Sequence, residues 1–512
     1  MRFRITFVAG AVVAALLPAL SPPAHAAAKT PTVTNGCLAS VPEPNSTAPV
    51  EICYSLFRPA GADRRHRVPM VMHSHGWGGS RTTDPASFQK WLDAGYGVLS
   101  FDQRGFGESG GQAHVESPAY EGHDVRRLIA LIAGLPWVRK DGKGDPRLGA
   151  IGGSYGGGYQ FLAAFESLRT KGKPVFDALA PEITWFDLSQ SLAPEGVVRT
   201  EWALALSAAA LVSDSLPPTV YKALVEGAAT GTWPDGSIPG TEDMVSFFAK
   251  NGPKWHVDHG RRLDIPVLFG QGTTDSLFNL QQGLANWSHA LTPRARRKSI
   301  FVAYNGGHVL PSVLPAGINV TSDPCSERLA GGTFADLALR FMNENLKGRR
   351  TGLKGFGRYH LATPDGACTT VDSVRADRGF DVGTVATTEA VSAPVAFPVA
   401  EGPIRIAGTP YLTGDLTALG INNRAFYGLG IGTTPLDAHL VQGNVLPLDE
   451  PDPVLGEHRR IALPSVAVDV PAGQTLYVMA TGLSDTFAAM GSRTPGAVLF
   501  EDTVVHLPVV GR

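Results

Sequence analysis

Two stretches of this sequence place a serine hydroxyl between small residues in the pattern G-x-S-x-G: Gly152-Gly153-Ser154-Tyr155-Gly156 and Gly107-Glu108-Ser109-Gly110-Gly111. A serine displayed for nucleophilic attack needs a strand that runs into a sharp turn and straight on into a helix, with glycines where the backbones crowd. LGAIG-GSYGG-GYQFLAAFESL, from Leu148 onward, meets that requirement. The Ser109 match continues as QAHVESPAY, which has no helical period and reads as a surface loop. Ser154 is therefore the candidate nucleophile.

A serine hydroxyl attacks poorly near neutral pH unless a base stands within hydrogen-bond reach. After a nucleophile elbow the partners follow in the order acid, then histidine. The apolar run Ile265 to Gly270 ends in Gln271-Gly272-Thr273-Thr274-Asp275, and the run Ser299 to Tyr304 ends in Asn305-Gly306-Gly307-His308. Of the 14 histidines, only His308 lies both after Asp275 and in a glycine-rich loop closing a strand. His289 falls in a predicted helix, and His360, His439, His458 and His506 fall in a β-rich region. Asp275 would orient the imidazole of His308, and His308 would relay the Ser154 proton. An oxyanion needs preorganised N–H donors; the candidates are the backbone of Tyr155 and of Trp77, the latter in His73-Ser74-His75-Gly76-Trp77-Gly78-Gly79. Asp102 precedes the nucleophile and reads as a structural turn residue. None of this chemistry calls for a cofactor or a metal.

The elements that must hold these residues are legible from about Val68. Apolar runs (Val68 to His73, Gly95 to Phe101, Leu148 to Gly152, Phe176 to Thr184, Ile265 to Gly270, Ser299 to Tyr304) alternate with helical periods around 125–135 and 155–168. Runs of this kind separated by helices predict a parallel sheet covered on both faces. An Ala-rich, helix-prone stretch at 187–262 interrupts the rhythm and reads as a helical cap inserted into a catalytic domain spanning 27–348; helices packed on the sheet's flank are the alternative. From 349 to 512, short Val/Ile/Leu runs between Gly, Pro and Asp predict an antiparallel sandwich or jelly roll. Tyr411, Phe426, Tyr427 and Tyr477 there could serve either as core or as a carbohydrate-stacking platform.

Composition narrows the partners. With 44 basic against 46 acidic side chains among 512 residues, there is no basic surface to embrace nucleic acid. Residues 1–26 combine Arg2 and Arg4, an apolar run from Ile5 to Leu20 and Ala24-His25-Ala26, the pattern of a secretory signal cut after Ala26. No later run is long enough for a membrane anchor, so a free, exported protein is expected. Cys37, Cys53, Cys325 and Cys368 allow three pairings; the sequence-local pairs Cys37–Cys53 and Cys325–Cys368 are preferred in an oxidising compartment, and a zinc site has no C-x-x-C or His cluster to support it. The oligomeric state is not encoded legibly.

The HGWGG loop, FDQRGFGESGG, GGSYGG, QGTTD, NGGH and a terminal VVHLP together resemble the X-Pro dipeptidyl peptidase and cocaine esterase family of α/β-hydrolases. That resemblance implies a helical cap, a jelly-roll C-terminal domain and ester or amide hydrolysis, with the triad on Ser154, Asp275 and His308. Members of that family often take the second oxyanion donor from a Tyr hydroxyl in a Pro-Tyr segment; this loop has no Tyr and is of the general His-Gly type. Removing dipeptides further requires a carboxylate for the substrate ammonium, for which Glu182, Asp187, Glu195 and Glu201 stand near the strand-to-cap junction. Esters have a better leaving group and no ammonium to hold, so small ester substrates are expected ahead of peptides.

Overall fold

The computed structural model describes residues 30–309, 318–388, 394–494 and 496–511; the expected leader at 1–26 lies outside the described residues. The apolar runs form a ten-stranded sheet: β1 (Thr32–Ser40), β2 (Val50–Arg58), β3 (Met70–Ser74), β4 (Gly97–Phe101), β7 (Leu148–Gly153), β8 (Ala178–Glu182), β9 (Leu268–Gly272), β10 (Ile300–Tyr304), β11 (Tyr359–Ala362) and β12 (Cys368–Val371). A small hairpin, β5 (Lys140–Gly142) and β6 (Asp145–Pro146), stands apart from it. The order is β1-β2-β4-β3-β7-β8-β9-β10-β11-β12. The strands from β4 through β11 run parallel, while β1, β2 and β12 are antiparallel to their neighbours.

Successive side chains of a strand point to opposite faces, so a sheet buried twice needs apolar residues at every position. Met70 and Met72 of β3, with Phe301 and Ala303 of β10, enter one core, which α2 (Glu121–Gly134), α3 (Tyr155–Lys171), α9 (Leu280–Ala285) and α10 (Pro293–Arg296) cover. Val71, Ile300 and Val302 enter the other, covered by α1 (Gln89–Asp93), α11 (Pro324–Ala330) and α12 (Phe334–Lys347). Helix α12 begins at a capping box formed by Thr333 and Asp336 and ends at Gly348.

The expected start of the β-rich unit at 349 is corrected: β11 pairs parallel with β10, β12 pairs with β11, and residues 359–371 thus complete the catalytic sheet. Two four-residue strands carry no sequence signal of which sheet they join. The disulfide Cys325–Cys368 fastens α11 to β12, and Cys37–Cys53 bridges directly opposed residues of β1 and β2.

Between β8 and β9 stand α4 (Leu188–Leu192), α5 (Thr200–Leu211), α6 (Pro218–Thr230), α7 (Met244–Phe248) and α8 (Pro253–Asp258), the expected cap. The paired strands described in the C-terminal unit are antiparallel. One sheet holds β13 (Arg378–Thr388), β16 (Tyr411–Leu419), β20 (Val454–Ala462) and β23 (Ala497–Leu507); the other holds β14 (Val395–Glu401), β17 (Asn423–Gly432), β18 (His439–Leu440), β19 (Leu446–Glu450) and β22 (Thr475–Thr481). A ribbon of β15 (Ile404–Gly408) and β21 (Val466–Val470) joins them. The stacking platform is not formed: Phe426, Tyr427 and Tyr477 are buried, and the Tyr411 ring is covered by His506 at 4.3 Å and by Arg460 at 3.9 Å.

Glu182 ends β8 in the middle of the sheet, where the Tyr304 hydroxyl donates to its carboxylate at 3.3 Å. Burial pushes this carboxyl up to about 7 from the usual 4.5. The folded protein therefore keeps it neutral while the unfolded chain ionises it, so stability is lost as pH rises from about 4.5 through 7. Glu182→Gln removes that loss: its melting temperature should gain on wild type steadily from pH 5 to pH 8, and a pH-independent difference would contradict the assignment. Closing the 43-residue separation of Cys325 and Cys368 restricts the unfolded chain by about 2–4 kcal/mol. Urea unfolding of the Cys325→Ala/Cys368→Ala double variant should show a lower midpoint and an unfolding free energy lower by that amount.

Candidate active site

Ser154 sits between β7 and α3 with φ 56° and ψ −122°, a conformation that costs a non-glycine residue about 1–3 kcal/mol. Its surroundings impose it. A Cβ at Gly156 would overlap the carbonyl oxygen of Ser74 on β3, and one at Gly152 would come 2.6 Å from the carbonyl oxygen of Gly156. The spacing of the glycines is thus the footprint of α3 crossing the strand ends. The Ser154 N–H donates to the Glu182 carbonyl at 2.9 Å, and the Ser154 carbonyl accepts from Gly157 at 2.8 Å.

The two downstream loops bring their residues to this point. His308 Nε2 lies 2.8 Å from Ser154 Oγ, and His308 Nδ1 lies 2.8 Å from Asp275 Oδ2. The second Asp275 oxygen accepts the N–H groups of Leu277 and Phe278, both at 2.9 Å, which fixes the fully buried carboxylate. Thr274 donates its hydroxyl to the Gly306 carbonyl at 2.7 Å and Thr273 its hydroxyl to Asn305 at 2.9 Å, so the acid loop and the histidine loop are tied to each other. Edges and faces of Trp202 and Phe278 meet the imidazole with centroids 5.9 and 5.2 Å away. Both are contacts sequence reading did not find, because they join residues more than 25 positions apart.

The loop after β3 lies beside the nucleophile: a Cβ built at Gly76 would stand 3.7 Å from Ser154 Cβ. Among the described residues, neither the Tyr155 nor the Trp77 backbone N–H has a protein acceptor. The Trp77 indole packs on Phe106 and Tyr155 at 4.8 and 5.0 Å and donates its N–H to the Leu206 carbonyl of α5 at 3.0 Å. His75 of the same loop and His73 at the end of β3 are inward supports. His75 Nε2 accepts the Gln103 N–H at 3.1 Å, and His73 Nδ1 meets Ser100 Oγ at 3.0 Å. Burial lowers both imidazoles, His73 to about 4, leaving them neutral.

Ser109 and Asp102 take structural places. The Ser109 hydroxyl donates to the Asp102 carbonyl and accepts the Cys53 N–H, both at 2.8 Å. The buried Asp102 carboxylate holds the guanidinium and the N–H of Arg81 and the N–H of Glu108 at 3.0 Å. Two positions on, fully buried Arg104 is bidentate to Asp124 at 2.8 Å and also meets Glu43 at 2.8 Å.

An apolar cavity of about 60 Å³ opens at Ser154 under the cap. Leu188 and Leu192 of α4, Leu206 of α5, Val220 and Leu224 of α6 and Phe248 of α7 wall it, and no charged side chain lines it. The four acids considered for an ammonium lie elsewhere. Glu182 is held below the elbow by Tyr304, Asp187 caps α4 through the Gln190 N–H at 3.2 Å, Glu195 is exposed, and Glu201 has Asp485 as its charged neighbour. Among the described residues no group of three or more His, Cys, Asp or Glu converges as metal ligands would.

The X-Pro dipeptidyl-peptidase (S15 family) profile matches residues 49–309. A CocE/NonD family hydrolase from Staphylococcus aureus superposes with a TM-score of 0.62 at 13% identity, over 93% of this chain and 97% of its own. An alpha-amino acid ester hydrolase superposes with 0.62 at 14%, over 93% and 97%; at such identities these likenesses concern the fold. A 31.7 kDa protein of Escherichia coli is 34% identical over 105 residues, 20% of this chain; the match spans 35% of that relative's length. Together with the elbow and its sheet, these findings place the chain in the X-Pro dipeptidyl-peptidase (S15) family, a serine hydrolase with the α/β-hydrolase fold.

Proposed function

We propose that Ser154 attacks the substrate carbonyl, that His308 is the general base and acid, that Asp275 holds the imidazole, and that the Tyr155 and Trp77 N–H groups receive the oxyanion. The sequence makes the Ser154 Oγ proton pass to His308 Nε2 as Oγ bonds to the carbonyl carbon. The tetrahedral oxyanion then collapses, and His308 returns the proton to the departing alcohol. Water, deprotonated by the same imidazole, cleaves the acyl-enzyme and releases the acid. Asp275, with one oxygen on two backbone N–H groups and the other on Nδ1, is placed to hold the ring and stabilise the imidazolium. With burial around it excluding water, each of these interactions gains strength.

The observation that carries the choice of substrate is the cavity beside Ser154, apolar and free of charged side chains. Burying an ammonium there without a carboxylate would cost several kcal/mol (of order 3–5), whereas an apolar acyl group gains about 25 cal/mol per Å² buried. Small neutral esters are therefore the favoured substrates. Membership of the X-Pro dipeptidyl-peptidase family favours a second reading, an X-Pro exopeptidase, which needs a carboxylate that none of the four acids brings to the cavity. The two disulfides, and the leader-like residues 1–26, support export from the cytoplasm.

A fluorophosphonate probe should label the protein once, at Ser154. Ser154→Ala should abolish labelling and cut ester kcat/KM by at least about 10³-fold, and Asp275→Asn by about 10⁴-fold through a misplaced imidazole tautomer. Labelling that survives Ser154→Ala would refute the nucleophile. Compared by kcat/KM, p-nitrophenyl acetate and butyrate should outrun Gly-Pro-p-nitroanilide. Faster anilide cleavage, abolished by blocking the peptide's amino group, would establish the exopeptidase reading instead.

A further inference from the structure

The carboxyl end of α6 lands on two arginines of the C-terminal unit. Gly231 closes the helix in the left-handed conformation, φ 75°, and its N–H returns to the Gly227 carbonyl at 3.0 Å. The last carbonyls of a helix have no partner within it and carry the negative end of its dipole. Here the Gly231 carbonyl accepts Arg424 Nη2 at 3.1 Å, and the Thr230 carbonyl accepts Arg493 Nη2. Arg424 is 6% exposed and is itself aimed by Asp449, whose carboxylate accepts its Nε–H at 2.9 Å. The fit has no slack: a Cβ at Gly231 would come 2.8 Å from Arg424 Nη1 and 2.7 Å from Met490 Sδ.

The other residues of α6 say what this grip controls. Val220 and Leu224 wall the cavity at Ser154. One turn further, Ala228 enters an apolar cluster with Phe426, Phe487 and Met490 of the C-terminal unit. Leu224 and Thr230 are six residues apart, about 9 Å along the helix axis, too short a lever for one end to shift while the other stays.

We propose that Arg424 and Arg493 are positioning residues that set acyl-group selectivity. By clamping the carboxyl end of α6, they hold Val220 and Leu224 at the height that limits the length of the acyl chain admitted at Ser154. This rests on the reading of the apolar cavity as the acyl site. The C-terminal β unit then contributes to specificity without touching substrate, and the substrates it selects are esters of short, uncharged acids.

The full chain is compared with Arg424→Met, Arg424→Lys and Arg493→Gln, the last removing a partly exposed guanidinium that the core does not need. Two readouts are taken: hydrogen–deuterium exchange of residues 218–231, and kcat/KM for p-nitrophenyl acetate, butyrate and octanoate. Arg424→Met and Arg493→Gln should each speed exchange in α6 by about tenfold with α3 unchanged. The preference for acetate over octanoate should fall at least about fivefold while kcat for acetate stays within about twofold. Arg424→Lys, which keeps a cation at the helix end, should lie nearer wild type. Unchanged exchange in α6, or an equal fall for all three esters, would overturn the proposal. If Arg424→Met does not fold, Arg493→Gln decides alone. If wild type hydrolyses none of the esters, the substrate reading fails, and exchange in α6 still decides the clamp.

Discussion

Everything in the catalytic half depends on one steric constraint: the helix after Ser154 must cross the ends of β3 and β7 at van der Waals distance. Any side chain at Gly156 would strike the Ser74 carbonyl, and any at Gly152 would strike the helix's own first turn. The turn can then be made only with Ser154 in a strained conformation, which projects its hydroxyl out of the sheet. Strain of that kind persists only where the surroundings over-determine it. Here the Glu182 carbonyl grips the Ser154 N–H from the neighbouring strand, and β3, β7 and β8 are themselves locked by apolar residues on both faces. The large buried sheet is the reason a single hydroxyl can be held in an unfavourable place.

The same logic explains why two buried ion pairs stand together on one side of the site. The loop after β4 carries Asp102 and Arg104, each buried and each bonded to an opposite charge, Arg81 or Asp124. Removing one partner of such a pair strands the other at a cost of about 3–5 kcal/mol, so the loop is rigid by necessity. It backs the loop after β3 through the Gln103 N–H donated to His75, whose neutral ring passes the constraint to Gly76. On the opposite side, under the cap, no charged side chain lines the cavity at Ser154. The site thus divides into a polar, hydrogen-bonded floor that fixes the reacting groups and an apolar roof that only fits shape.

This division decides what was legible in the sequence. The floor is written locally: G-x-S-x-G, the acid after one strand and the histidine after the next depend on neighbours within a few residues, and Ser154, Asp275 and His308 meet at 2.8 Å as their chain order requires. Strand and helix periods around them were equally readable. The roof is written in long-range contacts. Helix α5 is apolar on all sides and offers no periodicity from which its inner face, Ala203 and Leu206, could be told from its outer face, Leu204 and Leu211. Likewise β11 and β12 joined the catalytic sheet although their neighbours in sequence build the sandwich, since four residues of β-propensity do not name a partner. The aromatic residues of the sandwich were ambiguous for the same reason: Phe426, Tyr427 and Tyr477 are core, and Tyr411 is covered by His506 and Arg460.

An all-apolar roof has a chemical limitation that gives the third unit its importance. A hydrophobic pocket distinguishes substrates by one methylene for only about 1–3 kcal/mol, and only if its walls hold still. Cap helices of five to thirteen residues, joined by turns and packed on one another through Ala, Leu and Val, supply little rigidity of their own. What holds them is external. Ala193, Val197, Val198 and Ala203 pack against Phe426, Val445 and Phe487, and the Arg199 guanidinium lies 4.9 Å over the Phe487 ring. The Asn444 side chain of the same unit reaches the Thr273 carbonyl, two residues before Asp275, at 3.4 Å. The C-terminal sandwich therefore touches both halves of the site, the apolar roof and the acid loop. Chemistry is fixed by the sheet, fit is fixed by the cap, and the sandwich is the element that sets the distance between them.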